Sequence, residues 1–240
     1  MLDSVGVGGG GVSIPMTIEL CYVFPHGDSH LANYWRFLNS YAENPPGLPH
    51  RSVILTDEGQ IDDAAHLAKA VFGQVHIFQS HDRALDIGRY QAWSANSNAD
   101  VLLFCGGTTY FRKPGWMQRV VDSVSRYGKD ALYGSMCNTG DMGFNVYPHI
   151  RTTGFWVGRE AFNRYPVRVQ QKEQRYEFEH GATGLTTWFR QQNLKVWVVG
   201  WDTEYAWPNW GNIPGGFHNG DQRNLLIGDR LSSPPYWDFT

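Results

Sequence analysis

The stretch that decides the fold is DIGRYQAWSANSNADVLLFCGGTTYF, residues 86–111. Its first half predicts a helix, and its second half opens with the apolar run VLLFC. That run stops at Gly106 and Gly107 and continues with Thr108 and Thr109, which indicates a buried strand with a polar end. A helix that leads into such a strand is one unit of an alternating α/β chain, and folds of this kind bind ligands at the carboxyl ends of their strands.

The same alternation extends in both directions along the chain. Apolar, β-rich runs predict further strands, and stretches with apolar residues at helical spacing predict the helices between them. The predicted strands are 18–24, 51–59, 74–80, 131–136 and 195–201, and the predicted helices are 29–44, 62–73, 114–128 and 184–193. Residues 151–166 combine a strand with a short helix, and residues 202–223 predict a loop. This order predicts a mainly parallel sheet with helices on both faces.

Length and glycine pattern favour one domain with a short extension. A chain of 240 residues can bury one sizeable core, which we assign to residues 16–240. Residues 1–15 predict a flexible extension. The run GVGGGG at 6–11 resembles a dinucleotide-binding loop only formally, because no strand precedes it and no amphipathic helix follows.

Charge, cysteine count and hydropathy narrow the class of protein. The net charge of −3 argues against a general binder of polyanions and leaves a local basic face open. Three widely spaced cysteines fit neither a zinc site nor a disulfide framework, so we expect a reducing compartment. No apolar stretch is long enough to span a bilayer and residues 1–15 do not form a signal peptide, which predicts a soluble intracellular protein without a membrane partner.

Two stretches suit phosphate binding. Asp86, Gly88 and Arg89 stand at the start of a predicted helix, where backbone N–H groups attract anions, although helix capping by Asp86 explains the same residues. At 106–109 the two glycines permit close approach of a phosphate to the backbone. Each signal is weak by itself.

Two later stretches carry ionisable groups. In YEFEHG, residues 176–181, Glu179 and His180 precede a predicted helix; a carboxylate beside a histidine can serve as a general base, and the structural alternative is a charge favoured by the helix dipole. FHNGDQRNLLIGDR, residues 217–230, contains His218 and Asp221. Its structural alternative is an Asp/Arg-paired helix that braces the fold.

Taken in order, these stretches resemble the nucleotide-sugar glycosyltransferases of the GT-A fold over roughly residues 17–230, by element order more than by identity. In that fold, the strand corresponding to 101–105 normally ends in an Asp-x-Asp motif that holds a divalent metal against the donor diphosphate. Here residues 106–109 are Gly-Gly-Thr-Thr, so the motif is absent. The set DIGRYQA, GGTTYF, YGSM, PHIRTTGFW, YEFEHG and GDQRNLLIGDR is similar to the phage glycosyltransferases encoded beside TET/JBP-type dioxygenases, which attach sugars to 5-hydroxymethylcytosine in DNA.

The resemblance implies a single-domain, GT-A-like (Rossmann-like) mixed sheet, a UDP-sugar donor, and 5-hydroxymethylcytosine DNA as acceptor in the cytoplasm of an infected bacterium. Glu179 is the expected catalytic base, with His180 as its alternative. The expected donor-binding residues are Pro25, Asp86, Gly88, Arg89, Gly106, Gly107 and Thr108. The expected acceptor residues are Arg151, Trp156, Arg159 and Arg164, with Asp221 and Gln222 as further site candidates. Whether a metal takes part is left open, and His218 with Asp221 would be its ligands.

A DNA acceptor requires a local basic surface. Residues 151–175 contain six Lys or Arg residues against two Glu residues, with four aromatic rings among them. Basic groups suit phosphates and rings suit an unstacked base, which an enzyme acting on a DNA base requires. A solvated charged face over core aromatics explains the same pattern equally well.

Two other functions fit the same residues. One is a transferase for a surface glycan or polysaccharide, which shares the donor chemistry and differs in the acceptor. The other is a non-catalytic module that binds a sugar or nucleotide, which the missing Asp-x-Asp motif and the 10 Trp residues favour. The sequence does not define the transferred sugar or the anomeric outcome.

Overall fold

A computed structural model describes residues 16–24, 30–57, 61–80, 85–139, 147–213 and 222–230. The predicted extension 1–15 lies outside the described residues, as do Pro25, His218 and Asp221. The helices are α1 His30–Glu43, α2 Ile61–Phe72, α3 Leu85–Asn96, α4 Trp116–Tyr127, α5 Arg159–Asn163, α6 Gln174–His180, α7 Leu185–Gln191 and a 3₁₀ turn at Asn209–Asn212. The strands are β1 Ile18–Val23, β2 Arg51–Thr56, β3 His76–Gln79, β4 Val101–Cys105, β5 Tyr110–Phe111, β6 Leu132–Gly134, β7 Cys137–Asn138, β8 His149–Ile150, β9 Gly154–Gly158, β10 Val196–Val199, β11 Glu204–Ala206 and β12 Ile227–Gly228.

Eight of these strands form the central sheet, in the order β11-β10-β6-β9-β4-β1-β2-β3. Strands β3, β2, β1 and β4 pair in parallel, as do β6 and β10. Strand β9 runs antiparallel between β4 and β6, and β11 is an antiparallel edge strand. This is the mixed, mainly parallel sheet that the sequence predicts, and the two flanking layers of helices confirm the α/β class.

The side chains of β4 show how the sheet supports both layers. Leu102 and Phe104 belong to the core on one face with Tyr90 of α3, while Leu103 belongs to the core on the other face with Phe37 of α1. Successive side chains of a strand point to opposite faces, so a strand buried on both faces is apolar throughout. Helices α3, α5, α6 and α7 cover the first face, and α1, α2 and α4 cover the second.

The structure differs from the prediction in three places. Residues 101–111 are two strands, because β4 ends at Cys105 and β5 pairs instead with β12 in a separate two-stranded sheet. The predicted loop 202–223 contains edge strand β11, whose Ala206 pairs with Trp197. The brace helix considered for 217–230 does not occur within 222–230, where β12 forms.

Two expectations from composition can be compared with the described residues. Cys21, Cys105 and Cys137 are all buried and none forms a disulfide. Among the helices of the described part of the chain, none is both long and apolar enough to cross a membrane.

Candidate active site

The candidate site lies at the carboxyl ends of β1, β2 and β4. Tyr22 of β1 pairs with Cys105 of β4, and Val23 of β1 pairs with Leu55 of β2. The three strands are parallel, so the residues that follow them meet at one edge of the sheet, which is where open α/β sheets bind ligands.

A buried arginine joins the ends of β1 and β2. Arg89 of α3 is fully buried, forms an ion pair with Asp57, and donates a hydrogen bond to the carbonyl of Phe24 at 3.3 Å. Gly88 is buried beside it in the same helix. Arg89 therefore holds Asp57 in place and does not present its charge to solvent. The sequence predicted no role for Asp57, which falls inside the predicted strand 51–59, whereas in the structure β2 ends at Thr56 and Asp57 directly follows it.

The glycine at the end of β4 allows two strands to approach closely. The N–H of Gly106 donates to the carbonyl of Thr153 at 3.1 Å. A Cβ at Gly106 would lie 3.3 Å from the Cα of Thr153, closer than side chains ordinarily pack. The Thr109 hydroxyl donates to the same carbonyl at 2.5 Å. The end of β4 is thus fixed against the start of β9.

In the turn at residues 106–109, the carbonyl groups accept hydrogen bonds, whereas two N–H groups donate none to the described part of the protein and are called open below. Tyr22 donates its hydroxyl to the carbonyl of Gly107 at 2.8 Å, and Arg36 of α1 donates to the carbonyl of Thr108 at 2.6 Å. Within the described part of the chain, the N–H groups of Gly107 and Thr108 donate to no protein group. Open N–H groups next to an arginine are suited to an anion.

A buried carboxylate lies beside this turn, and it is already paired. Asp229 follows β12, with a side chain only 2% exposed, and its Oδ2 lies 3.2 Å from Arg151 and accepts the Thr153 hydroxyl at 2.8 Å. Among the described residues, no group of three or more His, Cys, Asp or Glu side chains is placed to hold a metal ion. The predicted metal ligands His218 and Asp221 lie outside the described residues.

Glu179 is held next to the same strand ends. Its Oε1 accepts hydrogen bonds from both the N–H and the hydroxyl of Thr152, each at 3.1 Å. The next residue, Thr153, accepts the Gly106 N–H. Two consecutive residues therefore connect the polar turn after β4 to the candidate base, which is partly exposed. Thr152 belongs to the stretch PHIRTTGFW, but no role was predicted for it.

An ion pair joins the start of α3 to α6. Asp86 Oδ1 lies 2.7 Å from Nε of Arg175, and Asp86 also accepts the N–H of Ile87 at 3.0 Å. Burial raises the pKa of Asp86 above its usual value, Arg175 opposes that shift, and the nearby Glu179 carboxylate adds to it. Asp86 thus lies in the first turn of α3, paired with Arg175 and close to Glu179.

A pair of histidines lies beside Glu179. The ring centroid of His180 is 5.6 Å from that of His149 and 5.7 Å from that of Tyr176. Burial lowers the pKa of His149, and the Glu179 carboxylate partly opposes this shift. The carbonyl of His180 accepts the N–H of Tyr147 at 3.0 Å, which ties the end of α6 to the segment before β8.

YEFEHG does precede the predicted helix, which is α7, but the sequence did not predict that the stretch is itself helical. Its first five residues form the end of α6 itself, and α7 begins only at Leu185. Glu177 accepts hydrogen bonds from the N–H and hydroxyl of Thr183 at 2.8 and 2.7 Å, which lowers its pKa. The structural carboxylate Glu177 and the strand-end carboxylate Glu179 are two residues apart on α6, which places them about 200° apart around the helix axis.

The aromatic rings predicted for the acceptor lie in the core. Trp156 has no exposed surface, and its indole N–H donates to the Ser123 hydroxyl at 3.0 Å. Phe155, Phe162 and Tyr165 are also buried. These rings are not accessible to an unstacked base, so the structural alternative applies to them.

The predicted basic face is divided between two ends of the sheet. Arg151 lies at the candidate site, but Arg159 follows β9, whose five residues span about 17 Å. At that opposite end, Arg159 donates to the carbonyl of Ala99 at 3.2 Å and Arg164 pairs with Asp130 at 2.6 Å. The grouping in sequence therefore does not form one surface.

Gln222 lies beneath the site and serves the fold. It is fully buried with φ of +50°, and Arg112 donates to its carbonyl at 2.9 Å and to its side-chain oxygen at 3.2 Å. Its amide Nε2 is buried without a hydrogen-bond partner among the described residues. Its candidate neighbour Asp221 lies outside those residues.

No protein-family model and no curated protein matches the chain. Among solved structures, GalNAc-T7 with UDP, GalNAc and Mn²⁺ aligns at 13% identity and a TM-score of 0.47, over 63% of this chain and 36% of that one. S. aureus TarS aligns at 12% identity and a TM-score of 0.44, over 64% and 30%. The mannosyltransferase PcManGT from Pyrobaculum calidifontis, in complex with GDP-Man and Mn²⁺, aligns at 8% identity and a TM-score of 0.47, over 67% and 52%.

This chain thus spans about one third to one half of the length of those structures. Likenesses of this size assign no activity to it. Its own fold and site define a mixed α/β protein that carries, at the carboxyl edge of its sheet, a turn with two open N–H groups and a carboxylate held in place by hydrogen bonds.

Proposed function

We propose that the protein is a glycosyltransferase that moves a sugar from a nucleotide sugar to an acceptor hydroxyl, with Glu179 as the base. The observation that carries the proposal is the Thr152–Thr153 connection. One residue holds Glu179 and the next holds Gly106, so the proton acceptor and the anion-binding turn are fixed to each other. Sugar transfer needs both groups at once, a base for the acceptor and a positive environment for the departing diphosphate.

On the donor side, the diphosphate would lie at the turn after β4. The open N–H groups of Gly107 and Thr108 and the guanidinium of Arg36 would stabilise the negative charge that develops on the leaving oxygen. Arg89 would act through Asp57, because it is itself buried. The donor class, a UDP-sugar, comes from the sequence resemblance.

On the acceptor side, Glu179 would remove the hydroxyl proton as the acceptor oxygen attacks the anomeric carbon. The bond from that carbon to the diphosphate oxygen breaks, and the electron pair leaves with the diphosphate. Thr152 fixes one oxygen of Glu179, which leaves the other oxygen for the proton. His180 is the alternative base.

We further propose 5-hydroxymethylcytosine in DNA as the acceptor, in the cytoplasm of an infected bacterium. The order of the six sequence stretches supports this choice, and Arg151 at the site suits a phosphate. The division of the basic stretch between two ends of the sheet favours the second candidate, a transferase for a surface glycan or polysaccharide. The acceptor must therefore be tested directly.

The experiment is a transfer assay with the purified chain, a panel of UDP-sugars, and DNA with and without 5-hydroxymethylcytosine, read by mass spectrometry of the nucleosides. We expect one added sugar on the modified nucleoside only, and we expect EDTA to leave the reaction intact. A glycan acceptor that gains sugar while DNA does not would replace the acceptor. Donor binding without transfer to any acceptor would overturn the enzyme and leave a binding module.

A further inference from the structure

A second pocket lies between α7, strand β10 and the edge strand β11. It encloses about 580 Å³, and its lining includes Tyr147, Arg190, Gln191, Asn193, Lys195 and Trp207. None of the lining residues that the structure describes is acidic. The mechanism above uses none of them.

The pocket contains an arginine stacked on a ring. The Arg190 guanidinium lies 4.1 Å from the centroid of Trp207. Across the described part of the chain, no carboxylate forms an ion pair with Arg190 or Lys195. Partial burial lowers the pKa of Arg190 below its usual value. Two cations without acidic partners make the pocket complementary to an anion.

The pocket also offers aromatic surface. Tyr147 is 46% exposed, and Trp207 is half-buried. An arginine on a ring extends a flat surface on which a planar group can stack. Gln191 and Asn193 add amide donors and acceptors, which can bind the edge of a base.

The pocket is linked to the helix that carries Glu179. The N–H of Tyr147 donates to the carbonyl of His180 at 3.0 Å, so the residue after Glu179 contacts the pocket wall. A ligand chain held at Arg190 can pass Tyr147 and reach the end of α6. At that end of α6, Tyr176 is 64% exposed and its ring centroid lies 5.7 Å from that of His180.

We propose that this pocket binds one nucleotide unit of a polynucleotide acceptor, with its phosphate at Arg190 and Lys195 and its base against the rings of Trp207 and Tyr147. A nucleotide joins a phosphate through a sugar to a planar base, and these parts match the two cations, the exposed rings and the amides of the pocket. A phosphate on a flexible polyol chain would leave the rings without a partner. The proposal rests on the proposed function only in placing the strand near Glu179.

The test is binding of a fluorescent single-stranded oligodeoxynucleotide to the full chain, measured by anisotropy at several salt concentrations. We expect Arg190→Gln and Tyr147→Leu each to weaken binding by roughly tenfold. The Arg190→Gln and Lys195→Gln changes should each reduce the slope of log affinity against log salt by about 0.7. The matched control is Lys69→Gln, which removes one exposed positive charge from α2, on the face of the sheet opposite α7. This variant should bind the oligonucleotide like the parent protein.

Competition experiments distinguish a polynucleotide from a free nucleotide and from inorganic polyphosphate, all of which carry phosphate. Unlabelled oligonucleotide should displace the probe at lower concentration than deoxycytidine monophosphate, which carries one nucleotide unit and no chain. Equal competition by the mononucleotide would refute the proposal that the ligand is a polynucleotide and would indicate that the pocket binds a free nucleotide. Equal competition by inorganic polyphosphate, or unchanged binding in Tyr147→Leu, would overturn the role of the rings. Unchanged binding in both charge variants would overturn the pocket.

The proposal for the pocket and the proposal for catalysis can be refuted independently of each other. Glu179→Gln should bind the oligonucleotide like the parent, because Glu179 does not line the pocket. An oligonucleotide that binds through Arg190 in a protein that transfers no sugar would refute the enzyme and support the pocket. If the rate of sugar transfer to DNA is unchanged in the Arg190 and Tyr147 variants, the result would support the enzyme and refute the role of the pocket.

Discussion

Thr152 donates two hydrogen bonds to one oxygen of Glu179, from its backbone N–H and from its hydroxyl, each 3.1 Å long. Because Thr152 is buried and lies between β8 and β9, two residues before β9 begins, the carboxylate takes its position from the strands and not from a surface helix alone. A base fixed in this way is positioned before an acceptor arrives, which lowers the entropic cost of reaching the reactive geometry.

Removing the Thr152 hydroxyl tests that positioning. Thr152→Val keeps the shape and the backbone donor, and Thr152→Ser keeps both donors. A hydrogen bond to a charged group contributes about 1.5–3 kcal/mol, so we expect Val to lower kcat by roughly tenfold or more, with the KM for the donor little changed. Ser should restore most of the rate. Equal rates for Val and Ser, at every pH, would contradict a positioning role.

Asp229 should be essential for stability, because its partners are buried with it. Asp229→Ala leaves Arg151 without its carboxylate at 17% exposure, and removing one member of a buried pair typically costs about 3–5 kcal/mol. Urea denaturation measures the free energy of unfolding. The double variant Asp229→Ala, Arg151→Met should recover much of the loss, and a strictly additive double variant would show that the two side chains are not coupled.

Arg164 should matter little for either stability or acceptor binding. It pairs with Asp130, and both side chains are at least half exposed, so the pair contributes about 0–1 kcal/mol. We expect Arg164→Gln to leave the unfolding free energy and the affinity for DNA unchanged. A large loss of DNA affinity would mean that the end of the sheet opposite Glu179 binds the acceptor after all.

Burial of His149 gives stability a defined dependence on pH. The folded-state pKa is below the value of about 6.5 for the unfolded chain, so unfolding takes up a proton as the pH falls through that range. Stability should therefore decrease on acidification below about pH 6.5, by up to about 1.4 kcal/mol per pH unit for this residue. His149→Asn should flatten the dependence, although His50, whose pKa burial also lowers, retains part of it. An identical slope in the variant would show that His149 is not responsible.

The element order could be predicted because each buried strand is apolar along its length and each helix has an apolar face. The direction of β9 could not, because GFWVG reads the same way whether its strand runs parallel or antiparallel to β4. The excess of basic residues in 151–175 could be counted from the sequence, but their arrangement could not. Three of these arginines form ion pairs with Asp86, Asp130 and Asp229, which are distant in sequence. No role was predicted for Asp57 or Thr152 for the same reason, since the contacts that place them join residues distant in sequence.

The central claim is that Glu179 accepts the proton of the attacking hydroxyl. Its most direct test is the single-turnover rate of sugar transfer by Glu179→Gln, compared with Glu173→Gln, which makes the same change at an exposed position on the N-terminal side of the same helix. We expect the Glu179 variant to bind donor normally and to lose about 10²- to 10⁴-fold in rate, with the Glu173 variant unaffected. A Glu179→Gln protein that transfers sugar at close to the parent rate would contradict the account.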